Sequence, residues 1–472
     1  MGRESGVLGC RGAGDSGGQV SQDRTLPLKV CIGWGLGSLG VASLFNMTNV
    51  LALAYMTDVM GIGATVAGLL IASLKLYDVF ADVAVGWLSD RTNSRWGRRR
   101  PFLFAGGFML GLSTFLVFGF GSIVEPSTGV IYMTFALLFY FTSYSTFNVP
   151  YMAMPTEMTQ SYHERSYLMS FRVIAVSLAN IVGSALGTYL VAKFGGGAEG
   201  HRAMSIFVGL IVLSASLACF QLTKDAPSTP RHAPTGQSFI VQFRLALQNK
   251  PYFVLLTAKF CGLVLFGFQA TFPFMFTRVL KVPFSWLSIY YIVMSLSMIA
   301  VQPAWLWLGK RYSKKALYAV SLIGNSAVYL TWLLAAEGDP VWTVIARAIG
   351  LGVFGGGSLL MGQALLPDAI EYDRLRTGLR REGIFAGMYT TVEKLAGALG
   401  TGASGVFLGL MGYVQSRGGV TVEQPASAIT AIYISTAVFP AVLQMLGMII
   451  LVRWYDLSPE KLKQAAASQP AS

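Results

Sequence analysis

VAGLLIASLKLYDVFADVAVGWLSDRTNSRWGRRRP, residues 66–101, begins as a helix-length apolar run and ends in a cluster of arginines. The run up to Leu88 is long enough to cross a bilayer, yet it carries Lys75, Asp78 and Asp82. Residues i and i+4 share one face of a helix, and Lys75 precedes Asp78 by three. The spacing therefore predicts a single charged stripe about two turns long. Polarity returns at Asp90, and at about 1.5 Å per residue this places Asp78 roughly 18 Å into the membrane. A lone carboxylate there costs about 2.5 kcal/mol or more, so the stripe must face a polar interior. It either lines an ion or substrate pathway or is permanently paired with Lys75 and basic residues of other helices. Two acids beside one base leave charge unbalanced, which favours the pathway.

The rest of the composition agrees. Of 472 residues, 54% are hydrophobic and 12% charged, against about 25% charged in soluble proteins. Apolar runs of about 20 residues recur and strand-length alternation does not, so helices rather than a barrel satisfy the backbone in lipid. We expect an all-α integral membrane protein with about twelve transmembrane helices, near 28–55, 66–89, 102–123, 130–154, 166–194, 203–222, 253–277, 286–308, 316–336, 342–366, 384–414 and 426–454. Pro150 and Pro155 are expected to kink or stop the fourth. Between the sixth and seventh the apolar signal collapses into KDAPSTPRHAPTGQS, a linker-like stretch. The expected organisation is a disordered leader (1–27), a six-helix bundle (28–222), a linker (223–250), a second six-helix bundle (251–454) and a tail (455–472). Six plus six is a parallel repeat.

The net charge of +13 is concentrated in short connections. Arg91, Arg95, Arg98, Arg99 and Arg100, then Lys310, Arg311, Lys314 and Lys315, and the mixed stretch 368–382 all fall on one side if spans alternate. That side is expected to be cytoplasmic, with both termini, in a cell (inner) membrane. The charge thus reports topology rather than a nucleic acid partner. No apolar core of signal-peptide length is present in the first 25 or so residues. Cys10, Cys31, Cys219 and Cys261 show no paired spacing, His163, His201 and His232 fall in separate loops, and no nucleophile motif or GxxxxGK[ST] loop occurs. A disulfide framework, a metal enzyme and a nucleotide-driven pump are all disfavoured. Of the other charges in apolar segments, Lys259 and Arg347 lie near span ends and are expected to snorkel. Arg172 lies at intermediate depth. Glu393 and Lys394 lie deeper, about 100° apart on a helix of small residues, so one faces the pathway and the other a neighbouring helix.

Two segments carry a resemblance. KLYDVFADVAVGWLSDRTNSRWGRRRP (75–101) and LLPDAIEYDRLRTGLRREGIFAGMYTTVEKLAGALG (365–400) resemble the span-two and span-eleven signatures of the glycoside-pentoside-hexuronide:cation symporters, a branch of the major facilitator superfamily. The resemblance implies uptake of a sugar or other small solute, driven by Na+, Li+ or H+, through alternating access of two six-helix bundles (the major facilitator fold). It implies that Asp78, Asp82 and Ser145 bind the coupling cation, with Na+ a candidate metal at the two aspartates, and that Arg172, Lys394 and Asn148 meet substrate. Gly86, Asp90, Arg91 and Arg98 match a loop that governs conformation. Ala42 and Asn148 stand where melibiose-type members carry sugar-binding aspartates, and Ala81 replaces an asparagine beside the cation. Asn46 and Asn49 are candidates to compensate for those lost contacts. The lost acids leave a lysolipid-like amphiphile open as substrate, and the lost asparagine favours H+, which needs fewer oxygen ligands. A receptor retaining the fold without transport is the alternative class. No cofactor beyond the coupling cation is expected; the expected partners are a small-molecule substrate and the lipid bilayer, and the chain is expected to be a monomer.

Overall fold

The computed structural model describes residues 26–121, 125–159, 162–226, 248–377, 382–420, 422–457, 460–461 and 464. Most of the expected leader and linker, and much of the tail, lie outside them. Eleven helices are long and apolar enough to cross a membrane: α1 (Leu28–Val59), α2 (Ala64–Arg91), α3 (Arg100–Phe118), α4 (Thr128–Pro155 within Pro126–Met158), α5 (Tyr167–Lys193), α6 (Ala198–Leu222), α7 (Lys250–Val279), α8 (Ser285–Arg311), α9 (Lys314–Leu334), α10 (Val341–Thr377) and α12 (Ala426–Trp454). The remaining long helix, α11 (Glu382–Leu410), carries Glu393 and Lys394 in its middle.

Of the boundaries that differ from expectation, two do so for identifiable local reasons. Helix α4 runs through Pro150 and Pro155 to Met158. Pro155 cannot donate to the Tyr151 carbonyl one turn back, and Trp34 Nε1 of α1 donates to it instead at 3.3 Å. Helix α10 continues about three turns beyond 366, where the mixed charges read as a loop. Glu371 and Arg374 pair along its surface at 2.6 Å, which makes that polar stretch good helix rather than loop.

Helices α1 to α6 pack chiefly among themselves, as do α7 to α12. The bundles meet along α2 against α11, α5 against α8, and the end of α1 against α7. The α2–α11 seam depends on missing side chains: a Cβ on Gly68 would sit 2.7 Å from the Gly405 Cα, so the two backbones touch.

The halves also repeat in sequence, at a register of 220 residues. Thr57-Asp58-Val59 corresponds to Thr277-Arg278-Val279, and Trp87-Leu88-Ser89-Asp90-Arg91 to Trp307-Leu308-Gly309-Lys310-Arg311. Arg91 and Arg311 each stack 4.0 Å from the ring centre of the equivalent tryptophan. Helices α1 and α7 both end in a wide π-helical turn, Tyr55–Val59 and Met275–Val279. Each turn is followed by a left-handed residue, Gly61 at φ 76° and Lys281 at φ 53°.

Candidate functional site

Asp78 and Asp82 lie one turn apart on α2 and converge with Ser145 of α4 and Lys394 of α11. The Ser145 hydroxyl is 2.6 Å from Oδ1 of each aspartate. The Lys394 ammonium is 2.5 Å from Asp78 Oδ2 and also pairs with Asp82 Oδ2. The Asp78 side chain is 6% exposed and that of Asp82 28%, so the pair spans the step from protein interior to open space. Two carboxylates against one ammonium leave one formal negative charge. A single hydroxyl proton cannot serve both short Ser145 contacts. Ser145 donates to one carboxylate, and the other contact becomes a hydrogen bond only when that carboxyl carries a proton. Ala81 beside them is buried and brings no oxygen.

Lys75 keeps to the stripe that its spacing predicts, meeting the same helix α11 as the aspartates, but its described hydrogen bonds go to other groups. Its ammonium donates to Asn49 Oδ1 at 2.8 Å, Thr401 Oγ1 at 3.1 Å and the Gly397 carbonyl at 3.4 Å. It ties α2 to α1 and α11, one turn away from the aspartates, so the Asn49 side-chain oxygen is already occupied. Thr401, which completes this tie, was hidden in the small-residue run GTGASG. Asn46 and Asn148 are half-buried and make no side-chain hydrogen bond among the described residues.

Lys259 does not snorkel. It is buried under Gly362, 4.8 Å from the Tyr389 ring centre, with the Tyr389 hydroxyl at 3.5 Å. Among the described residues, Arg172 of α5 finds no hydrogen-bonding partner for its buried Nε. Glu393 is exposed, yet the cations acting on its charge are Lys259 of α7, Arg172 of α5 and Lys394 of its own helix. A lipid-facing residue of α11 would not lie among cations from both bundles, so Glu393 faces the gap between them. Both residues of the Glu393–Lys394 pair therefore reach the interior. Arg347 is held by Asp339 at 3.3 Å and lies over Trp332.

In the arginine loop, Arg99 bridges Asp90 at 2.7 Å and Glu157 at 2.9 Å, and Arg98 also reaches Glu157, at 2.5 Å. Arg100 donates to the Phe220 carbonyl at the end of α6. These contacts fasten helix ends within the first bundle, whereas Arg91 stacks on Trp87. Gly86 does not sit at a close helix contact: a Cβ there would meet only Val149, at an ordinary 3.6 Å.

The described polar contacts between bundles lie at the level of the aspartates or on the side away from the basic loops. They include Asn180 to Ser295 at 2.7 Å and Thr188 to Ser288 at 2.9 Å. Among the described residues, the bundles are thus fastened to each other mainly on the side away from the basic loops.

Residues 33–458 match the family model described as MFS/sugar transport protein. The chain is 26% identical over 449 residues to a glucuronide carrier protein homolog of Escherichia coli (strain K12), covering 94% of this chain and 95% of that protein. It is 26% identical to a putative glycoside/cation symporter of the same strain, covering 93% and 94%. Among solved structures it resembles the nucleoside transporter NupG (TM-score 0.59, 14% identity, covering 89% of this chain and 98% of that one). It also resembles a bacterial homologue of the human drug peptide transporters PepT1 and PepT2 (TM-score 0.63, 13% identity, covering 90% and 97%). At these identities the solved structures speak to fold alone.

Proposed function

This chain belongs to the MFS/sugar transport protein family, and from that premise we propose that it is a proton-coupled symporter of a hydroxylated organic solute bearing an acidic group. It is a multi-pass membrane transporter and not an enzyme. The observation that carries the coupling is the Lys394 ammonium spanning both carboxylates from the opposite bundle. A proton on either aspartate removes half the charge that holds Lys394, which weakens the tie between α2 and α11 and leaves the ammonium free to meet substrate. Proton binding and bundle movement are then linked through one salt bridge. Na+ would need several oxygens where Ala81 offers none, whereas the second Ser145 contact is completed by a proton.

The substrate class follows from the opposite charge. Ala42 and Asn148 supply no acids, while Arg172 of the first bundle and Lys259 inside the second are two incompletely satisfied cations, a balance that suits a carboxylate or sulfonate. Similarity to a protein named as a glucuronide carrier homolog supports this choice. With the basic loops in the cytoplasm, both chain ends are cytoplasmic as well and the proposed opening faces inward. The test is reconstitution as a monomer in proteoliposomes, screening uronides, neutral glycosides and lysolipids under an imposed pH or Na+ gradient. Accumulation of a uronide under the pH gradient alone is expected. Accumulation driven only by Na+ would reject proton coupling, and accumulation of neutral glycosides or lysolipids alone would reject the acidic substrate.

A further inference from the structure

On the face away from the basic loops, α1, α7 and the connection after α11 meet in a compact polar cluster. Arg278 Nη2 lies 2.7 Å from Asp58 Oδ2, with side-chain exposures of 5% and 15%. The Tyr413 hydroxyl donates to Asp58 Oδ1 at 2.8 Å and accepts from Arg278 Nε at 3.3 Å, closing a three-membered ring of hydrogen bonds. Backbone bonds run alongside: Ser416 N to Thr57 O at 3.1 Å, Gly418 N to Val59 O at 2.9 Å and Gly419 N to Asp58 O at 2.9 Å. Asp58 belongs to the first bundle; every other side chain in the ring belongs to the second.

Asp58 and Arg278 are equivalents in the internal repeat, 220 residues apart. Both sit on the π-helical ends of their helices, and the backbones there bond alike. Met60 N reaches Tyr55 O at 3.1 Å and Leu280 N reaches Met275 O at 3.0 Å; Ile62 N reaches Met56 O at 2.8 Å and Val282 N reaches Phe276 O at 3.1 Å. A π turn rotates the following side chains relative to an α-helix. The same turn in each half thus swings one acid and one base toward the axis that relates the bundles. Only their opposite signs make the repeat self-complementary.

We infer that Asp58, Arg278 and Tyr413 form a releasable latch that holds this face shut while the cation site is open to the other side, and that must break before the transporter can open here. Packing alone would close the face in any state; a buried ion pair between bundles makes the closed state depend on two particular charges. The inference rests on alternating access but not on the identity of substrate or cation, and it is tested without transport. Ser288 is buried at the α5–α8 interface on the latched side and donates to or accepts from Thr188. With Ser288→Cys as reporter, a membrane-impermeant maleimide applied to the latched face is expected to label slowly, and Asp58→Asn is expected to speed labelling about tenfold or more. Asp58→Arg with Arg278→Asp, which restores opposite charges at equivalent backbone positions, is expected to return labelling to near the parent rate. A Glu393→Cys reporter, read from the basic-loop face, should slow in Asp58→Asn, because a shift between states opposes the two reporters whereas unfolding speeds both. Unchanged Ser288→Cys labelling in Asp58→Asn, faster labelling of both reporters, or no recovery in the charge-exchanged protein would overturn the latch.

Discussion

Ser145 brings one proton to two carboxylate oxygens, each 2.6 Å away. Losing a hydrogen bond to a charged group costs about 1.5–3 kcal/mol. That bond favours the ionised carboxylate, so Ser145→Ala is expected to move the proton dependence of uptake roughly ten- to a hundredfold toward tighter apparent proton affinity, read from initial rates against external pH. Uptake by the parent should rise as external pH falls if the proposed driving ligand is the proton; a Ser145→Ala profile overlying the parent's would remove the hydroxyl from the site. Lys394→Met removes the ammonium that bridges the pair and leaves its two carboxylates without that partner. Exchange of preloaded substrate is expected to persist while accumulation against a gradient is lost, and accumulation at the parent level would exclude Lys394 from coupling. The sequence made the aspartates, Ser145 and Lys394 legible, since burial of charge in lipid demands partners and the resemblance named them. It misplaced Lys259 and left the partners of Lys75 unnamed. Helical period assigns a face but not the neighbour, and a flexible four-carbon stem lets an amine choose Asn49 or Tyr389 over the nearer-seeming charge or the headgroups.

The elements themselves show where single-chain patterns stop. Length and apolarity located the spans, but proline was a misleading punctuation mark in α4 because Trp34, 117 residues away, supplies the missing donor. Trp34→Phe should leave the Tyr151 carbonyl without that donor. A buried group so exposed costs about 1–3 kcal/mol, and a lower thermal midpoint in detergent, with the parent's helical circular dichroism retained, is the expected result. An unchanged midpoint would show that the backbone satisfies itself around Pro155. On the α2–α11 seam, Gly405→Val places side-chain atoms where Gly68 backbone now lies. Overpacking of this kind costs typically 1–3 kcal/mol, but only in the conformation that has the contact. The variant is thus expected to disfavour closure on the side away from the basic loops and to lower turnover several-fold at near-parent expression, measured by uptake per molecule reconstituted.

At the scale of the whole molecule, the 220-residue register shows that one half alone carries the paired carboxylates. Asp78 and Asp82 correspond to Met298 and Gln302, so the same helix exists in both bundles and only the first was given acids. The repeat was readable in TDV and TRV, or in WLSDR and WLGKR, but short matches inside apolar sequence are easily lost when spans are merely counted. Asymmetric chemistry on a near-symmetric frame predicts a directional response to protons. The proposed opening leads from the basic-loop side toward the exposed Glu393, while the native Cys31, Cys219 and Cys261 are buried and contribute little background. In a Cys10→Ser background, Glu393→Cys is expected to react with an impermeant maleimide in vesicles exposing the basic-loop face and to resist it in vesicles of the opposite orientation. Lowering the pH should narrow this difference, because protonating the aspartate pair loosens the Lys394 tie that joins the bundles at mid-membrane. Equal labelling from both faces at neutral pH would contradict the one-sided opening, and a difference insensitive to pH would separate the movement of the bundles from the charge of Asp78 and Asp82.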